Sequence, residues 1–375
     1  MRLQRHHMTA VDVRLVCVAP VRLGSDPMAG LGVVCLLTLI ALTLLRGAVF
    51  ASKEDVVFSG SSSTVTEATN AFDLFKKLFN WSNEPGTDDY YRRIINLEKS
   101  LLRHASLNNH SVASNSSSAK YGINQFSVLS PEEFRDRFLT TIPEKVPEYP
   151  APEAARGPSI KLPKKFDWRE KNVVTPVENQ ESCGGCWAFS VVGIIESVYA
   201  LLGHPLRQLS VQQVIDCSYK NQGCNGGSTV RTLSWLKQTQ EKLVSETEYP
   251  FKAETGVCRI FPPSEFGVSV KDFAAFDFSE NEVAMMQKLL DWGPVAVTVD
   301  AVSWQDYLGG IIQHHCPSQQ ANHAVLITGY DTTAEVPYWI VRNSWGTSWG
   351  NQGYVYIKMG GNVCGVADSV AAVFV

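Results

Sequence analysis

A cysteine at the head of a long apolar run narrows the folds open to this chain more than any other feature. The segment reads Gln180-Glu181-Ser182-Cys183-Gly184-Gly185-Cys186-Trp187-Ala188-Phe189-Ser190. Residues 187–201 are apolar for long enough to form a helix, which places Cys186 near its N-terminus. The unpaired backbone N–H groups there, with the helix dipole, favour an anion and lower the pKa of a thiol. A thiolate so placed is a nucleophile, and Gln180, six residues upstream, offers an N–H donor for the oxyanion its attack creates. The plain alternative is a buried structural thiol, and Cys183-x-x-Cys186 alone does not decide between them. Two distant segments do.

The first is Ala321-Asn322-His323-Ala324-Val325-Leu326-Ile327-Thr328-Gly329-Tyr330, a polar pair opening a β-branched run that reads as a strand. The second, Tyr338-Trp339-Ile340-Val341-Arg342-Asn343-Ser344-Trp345-Gly346, is another strand-like run ending in an amide, an aromatic and a glycine. A lone histidine beside a strand is usually structural. With a helix-heading cysteine upstream and an Asn and a Trp downstream, it reads as a catalytic base. These residues resemble the papain-type cysteine peptidases, whose order is an oxyanion Gln, a nucleophilic Cys, a His, then Asn followed by Ser-Trp-Gly. Gln180, Cys186, His323 and Asn343 match one by one, and the resemblance runs from about residue 90 to the C-terminus. It implies an α+β, papain-like fold of two lobes, one helical and one β-barrel-like, behind a helical inhibitory propeptide.

The N-terminus reads as a targeting region. Residues 30–45 carry no charge and are followed by Arg46 and the small-residue site Val49-Phe50-Ala51. That fits a signal peptide over residues 1–51, with Met28 as an alternative start, and is short for a membrane span. An uncleaved anchor is the second reading. The net charge of −4 gives no footprint for nucleic acid. Secretory entry makes the cysteines readable: of nine, seven lie at position 183 or beyond, which fits three disulfides and one free thiol. The resemblance leaves Cys186 free and implies the pairs Cys183–Cys224, Cys217–Cys258 and Cys316–Cys364. Each would stabilise the fold by roughly 3–4 kcal/mol through the entropy of the unfolded chain.

Residues 52–161 contain no cysteine and read as a propeptide. Residues 71–79 and 89–107 have amphipathic helical patterns, the second with Ile94, Ile95, Leu97, Leu101 and Leu102 on its apolar face. A Ser/Asn-rich stretch, 108–118, reads as a break. The three Asn-x-Ser sequons, Asn80, Asn109 and Asn115, all fall in this half. Gly122-Ile123-Asn124-Gln125-Phe126-Ser127-Val128 is similar to the family's propeptide signature, with Val128 where Asp is usual. Six prolines between Pro143 and Pro163 make an extended linker, which the resemblance lays backwards along the cleft. The peptidase domain, 162–375, opens at Leu162. Within it Ser210 reads as a helix N-cap, with Gln213 completing a capping box. Strand patterns dominate from about Val268 onward.

By resemblance, Cys186 and His323 form a thiolate–imidazolium pair, Asn343 orients the ring, and Trp345 shields that bond. Gly226 and Gly227 bind extended substrate backbone, and Ser228, Thr298, Ala321 and Ser369 line the pocket for the P2 side chain. No metal or other cofactor is needed. A zinc reading of Cys183, Cys186 and His314 or His315 lacks a second ligand pair at a known spacing, and those histidines read as surface residues. The implied protein is a monomeric lysosomal cysteine endopeptidase, reached through the secretory pathway and possible outside the cell as well. It would act on protein or peptide substrates, be held by its own propeptide and cystatin-like inhibitors, and have no stable membrane insertion once the signal is gone. A peptide-binding pseudoenzyme and a membrane-anchored adaptor are the rival classes.

Overall fold

The protein is described here by a computed structural model, which covers residues 65–82, 84–111, 118–144, 161–262, 266–316 and 320–375. The signal region with Met28, the sequon Asn115 and most of the proline linker lie outside the described residues. No helix among the described residues is long and apolar enough to cross a membrane.

The C-terminal half has two lobes. In the first, helix α4 (Cys186–Leu201) is apolar on almost every side, so packing surrounds it rather than flanking it. Helices α5 (Val211–Cys217) and α6 (Thr229–Thr239) cover it and complete a core with Trp187, Ile194, Val214 and Leu233. Ser210 caps α5, its hydroxyl accepting from the Gln213 N–H at 2.9 Å. The expected capping box is only half made, because Gln213 turns away to serve a distant segment. Its side chain accepts from the Val244 N–H at 2.9 Å and donates to the Lys242 carbonyl at 3.0 Å. The Val244 N–H and the Gln213 side chain are buried together, and the need to satisfy them outweighs the local cap.

The second lobe is an eight-stranded, mostly antiparallel sheet. Its strands are β2 (Lys165–Asp167), β3 (Asp272–Phe276), β4 (Val295–Val299), β6 (Ile311–Ile312), β7 (His323–Asp331), β8 (Tyr338–Arg342), β9 (Tyr354–Lys358) and β10 (Val370–Phe374). The order is β3-β10-β4-β7-β8-β9-β6, with β2 also pairing β7. Every residue of β4 and β7 is buried, since these central strands pack on both faces. One face meets α4 and the other meets helix α7 (Glu282–Trp292).

The propeptide supplies α1 (Val65–Phe79), α2 (Asp88–Ser111), a two-residue strand β1 (Lys120–Tyr121) and α3 (Pro131–Phe138). Strand β1 pairs with β5 (Tyr307–Gly309) of the C-terminal half, so the two halves share backbone hydrogen bonds. Two expectations need correction. Ile95 and Leu102 are exposed, while Arg93, Asn96, Ser100 and His104 are buried, because the inward face of α2 meets polar partners as well as apolar ones. Residues 108–111 continue the helix, and Asn108 exchanges two hydrogen bonds with the Tyr121 backbone, at 2.8 and 3.0 Å. Ser130 caps α3 in a complete capping box with Glu133. The same Glu133 carboxylate takes Arg93 at 2.9 Å, while Val128 is fully buried beside Phe72, Phe75 and Leu97. Arg93 thus has two charge partners, Glu133 of the capping box and Asp89 of its own helix at 3.4 Å, while Val128 serves an apolar core.

Candidate active site

Cys186 begins α4, and its N-cap is Gly185, which has no side chain to spend on the first turn. No side chain caps that turn, and its Ala188 N–H turns back to the Gly185 carbonyl at 2.8 Å. His323 begins β7 opposite Val299, and Asn343 directly follows β8. The β7–β8 pairing, which sets Leu326 against Arg342, brings the two side chains together. His323 Nε2 and Asn343 Oδ1 are 2.7 Å apart, and both residues are buried. Trp345 stacks on the imidazole at 4.7 Å and is itself fully buried, so water is kept from that bond.

Burial pushes the Cys186 thiol up, but the nearby His323 charge, with a hydrogen bond from Thr141, pulls it down to about 7. His323 Nδ1 makes no hydrogen bond of ordinary geometry, so its action on the sulfur is chiefly electrostatic in this closed form. Gln180 is fully buried, and its carbonyl oxygen accepts from Ser344 Oγ at 2.6 Å and Trp345 Nε1 at 3.1 Å. With the oxygen fixed, the amide nitrogen points the other way and donates to the Cys183 carbonyl at 3.0 Å. A primary amide has a second N–H beyond this one.

The propeptide enters this site. Thr141 Oγ1 lies 3.1 Å from Cys186 Sγ, its N–H donates to the Asn322 carbonyl, and Thr140 donates to the Gly184 carbonyl at 2.7 Å. The Ile142 N–H donates to the Gly227 carbonyl at 2.9 Å, and Thr141 and Gly227 form a parallel bridge. A side chain at Gly226 would meet the Thr140 carbonyl at 2.2 Å, on a backbone at φ +123°. One at Gly227 would strike the Trp187 ring. Glycine is required here by close approach as much as by the turn.

Thr298, Ala321 and Ser369 sit on neighbouring parts of the sheet lobe, with the Thr298 N–H bonded to the Ser369 carbonyl. Ser228 stands on the facing lobe as the N-cap of α6. Cys183 is bonded to Cys224, Cys217 to Cys258 and Cys316 to Cys364, and Cys186 is free. His314 is exposed, whereas His315 is half-buried against Tyr121 of the propeptide at 5.9 Å. Asn80 and Asn109 are exposed.

Sequence reasoning did not single out Ser344 as the residue that turns Gln180, nor Thr141 as the residue against the thiol. It also missed a buried clamp in which Asp306 accepts from Ser100 at 2.8 Å and pairs with Arg103 and with His104 at 3.0 Å. Burial would raise the Asp306 carboxyl, but His104 and Arg103 hold it down at about 2. The i, i+3, i+4 spacing of Ser100, Arg103 and His104 was a usable signal for one helix face; Asp306, about 200 residues on, was not.

Residues 162–374 match the family described as papain family cysteine protease. The chain belongs to the papain family of cysteine proteases. It is 59% identical to human cathepsin O over 76% of this chain and 88% of that protein, and 58% identical to cathepsin O of Mus musculus over 79% and 92%. Among solved structures it resembles digestive procathepsin L2 of Tenebrio molitor, with a TM-score of 0.70, 28% identity and 82% and 100% of the two chains covered. The recombinant stem bromelain precursor gives a TM-score of 0.70 at 29% identity, covering 82% and 99%. The papain-family likeness extends over the propeptide, so the chain is a protease zymogen whose cleft its own N-terminal segment fills.

Proposed function

We propose that this cysteine protease works through Cys186, His323, Asn343 and Gln180. The observation that carries the reading is the fixed relation of the free Cys186, drawn toward the thiolate, to an imidazole held by Asn343 under Trp345. The thiolate attacks a substrate peptide carbonyl. The oxyanion is met by the Gln180 amide and the Cys186 backbone N–H at the start of α4. His323 gives its proton to the leaving amine, and water then cleaves the acyl-enzyme with His323 as base. No step calls on a metal or other cofactor.

The proposed boundaries are a signal over 1–51, a propeptide over 52–161 and the peptidase over 162–375. Substrate backbone would pair with Gly226 and Gly227, and the P2 side chain would enter between Ser228, Thr298, Ala321 and Ser369. None of those four is acidic, so the pocket suits apolar P2 groups rather than Arg or Lys, with modest selectivity among them. Maturation in lysosomes through the secretory route, with some enzyme outside the cell, fits the likeness to cathepsins and the signal-like N-terminus. We further propose a monomer that cystatin-like inhibitors block by occupying the same cleft. The test is alkylation of the processed enzyme with a thiol-directed peptidyl epoxide, followed by mass mapping. Label on Cys186 with loss of turnover supports the reading, and activity that survives full labelling of Cys186 overturns it.

A further inference from the structure

The propeptide holds a carboxylate at a place the chemistry above does not use. From Thr141, beside the catalytic sulfur, the chain runs on along the helical-lobe wall to Glu144. There Ser228 Oγ donates to Glu144 Oε2 at 2.8 Å, and the Arg231 guanidinium pairs with Oε1. Ser228 is nearly fully buried and caps the eleven-residue α6, whose N-terminus adds partial positive charge at the same spot. Arg231 lies in the first turn of that helix, is 39% exposed, and pairs with no other carboxylate among the described residues. The segment carrying Glu144 bonds to the Gly227 carbonyl, on the wall proposed above for substrate backbone.

We infer that removal of the propeptide leaves Ser228 and Arg231 as a cationic subsite that accepts an aspartate or glutamate side chain. Ser228 also borders the P2 pocket proposed above, so the acidic residue stands either third before the scissile bond or second, in place of an apolar group. This deepens the active-site reading and rests on it. A serine hydroxyl, a guanidinium and a helix N-terminus that converge on one carboxylate recognise that group by charge and by two hydrogen bonds. Arg231 is partly exposed, so the gain is moderate and screened by salt. Glu144 occupies the subsite in the zymogen and adds its own contact to the inhibitory hold.

The test uses processed enzyme, with active sites counted by epoxide labelling. It compares matched peptides that carry Glu or Gln, and Asp or Asn, at the second and third positions. Wild type should favour the acidic peptide in kcat/KM by about 3–10-fold at low salt at one of those positions, less at high salt. In Arg231→Gln the acid-to-amide ratio should fall to about 1, and in Arg231→Glu it should invert. Each ratio is internal to one enzyme, so altered overall activity does not confuse it. If Arg231→Gln does not mature, Arg231→Lys should mature and retain a smaller acidic preference. Wild-type enzyme that labels at Cys186 yet shows a ratio near 1 at both positions overturns this inference alone. A ratio unchanged in Arg231→Gln does the same. Enzyme that cleaves peptides without needing Cys186 overturns the active-site reading, and this inference with it.

Discussion

At the scale of single residues, two cysteines three positions apart have opposite duties. Cys183 is tied to Cys224, across a separation of 41 residues, while Cys186 is free and its thiol is drawn down to about 7. Cys186→Ala should therefore leave secretion and thermal stability nearly unchanged but lower turnover by several orders of magnitude. Cys183→Ala should cost roughly 2–5 kcal/mol and reduce the yield of folded protein. Secretion yield, melting temperature and peptide turnover of the two variants separate these outcomes, and residual turnover in Cys186→Ala would show the nucleophile to be elsewhere. The helix start at Cys186 was legible in the sequence, because it depends on the immediate apolar run, whereas the Cys183–Cys224 pairing was implied only by the family resemblance. The orientation of Gln180 was not, since Ser344 and Trp345 reach it from 164 and 165 residues away.

Helix α2 shows how one element carries two messages. Its outward side keeps charges and the exposed Asn109, while its inward side brings Ser100, Arg103 and His104 to Asp306. Removing that carboxylate leaves buried donors unpaired, so Asp306→Asn should weaken inhibition of mature enzyme by added propeptide about 10–100-fold, or about 1.4–2.8 kcal/mol. The Asp306 carboxyl is depressed, from 3.8 to about 2. Its contribution is thus complete above about 3.8 and fades only as the pH falls toward 2. The gap between Asp306→Asn and wild type should persist at pH 5, and an inhibition assay at pH 7 and pH 5 would detect its loss. The sequons belong to this half too. Deglycosylation should shift the proform on a gel but not mature enzyme starting near Leu162, and a shift in the mature band would place a glycan where no sequon lies.

Across the whole molecule, the contact between the lobes holds a buried acid cluster. Glu196 on α4 accepts from Thr175 Oγ1 at 2.5 Å and from the Leu209 N–H at 2.8 Å. Burial first, and then the nearby Glu178 carboxylate, push Glu196 up to about 8 despite Arg342. A carboxyl raised in the folded state contributes its full stability below its unfolded value near 4.5, and loses it as the pH rises through about 8. Through this group alone, stability should fall by on the order of a few kcal/mol as the pH rises from about 4.5 to about 8. Glu196→Gln keeps the shape without the proton to lose, so its melting temperature should fall less between pH 5 and pH 8. Equal slopes for the two proteins would remove Glu196 as the cause.

The sequence by itself determined the place of Cys186 at a helix start, the strands of the second lobe and the amphipathic helix that spans 89–107. Each is a local pattern of period, cap or charge that acts within a few residues. Tertiary structure alone decided that Gln213 would leave its cap for Val244, that Glu133 would answer Arg93 near Val128, and that Glu144 would reach Ser228 and Arg231. In each case a polar group buried by folding had to find a partner far along the chain. The choice of partner depends on which surfaces come together, and no spacing in the sequence encodes that.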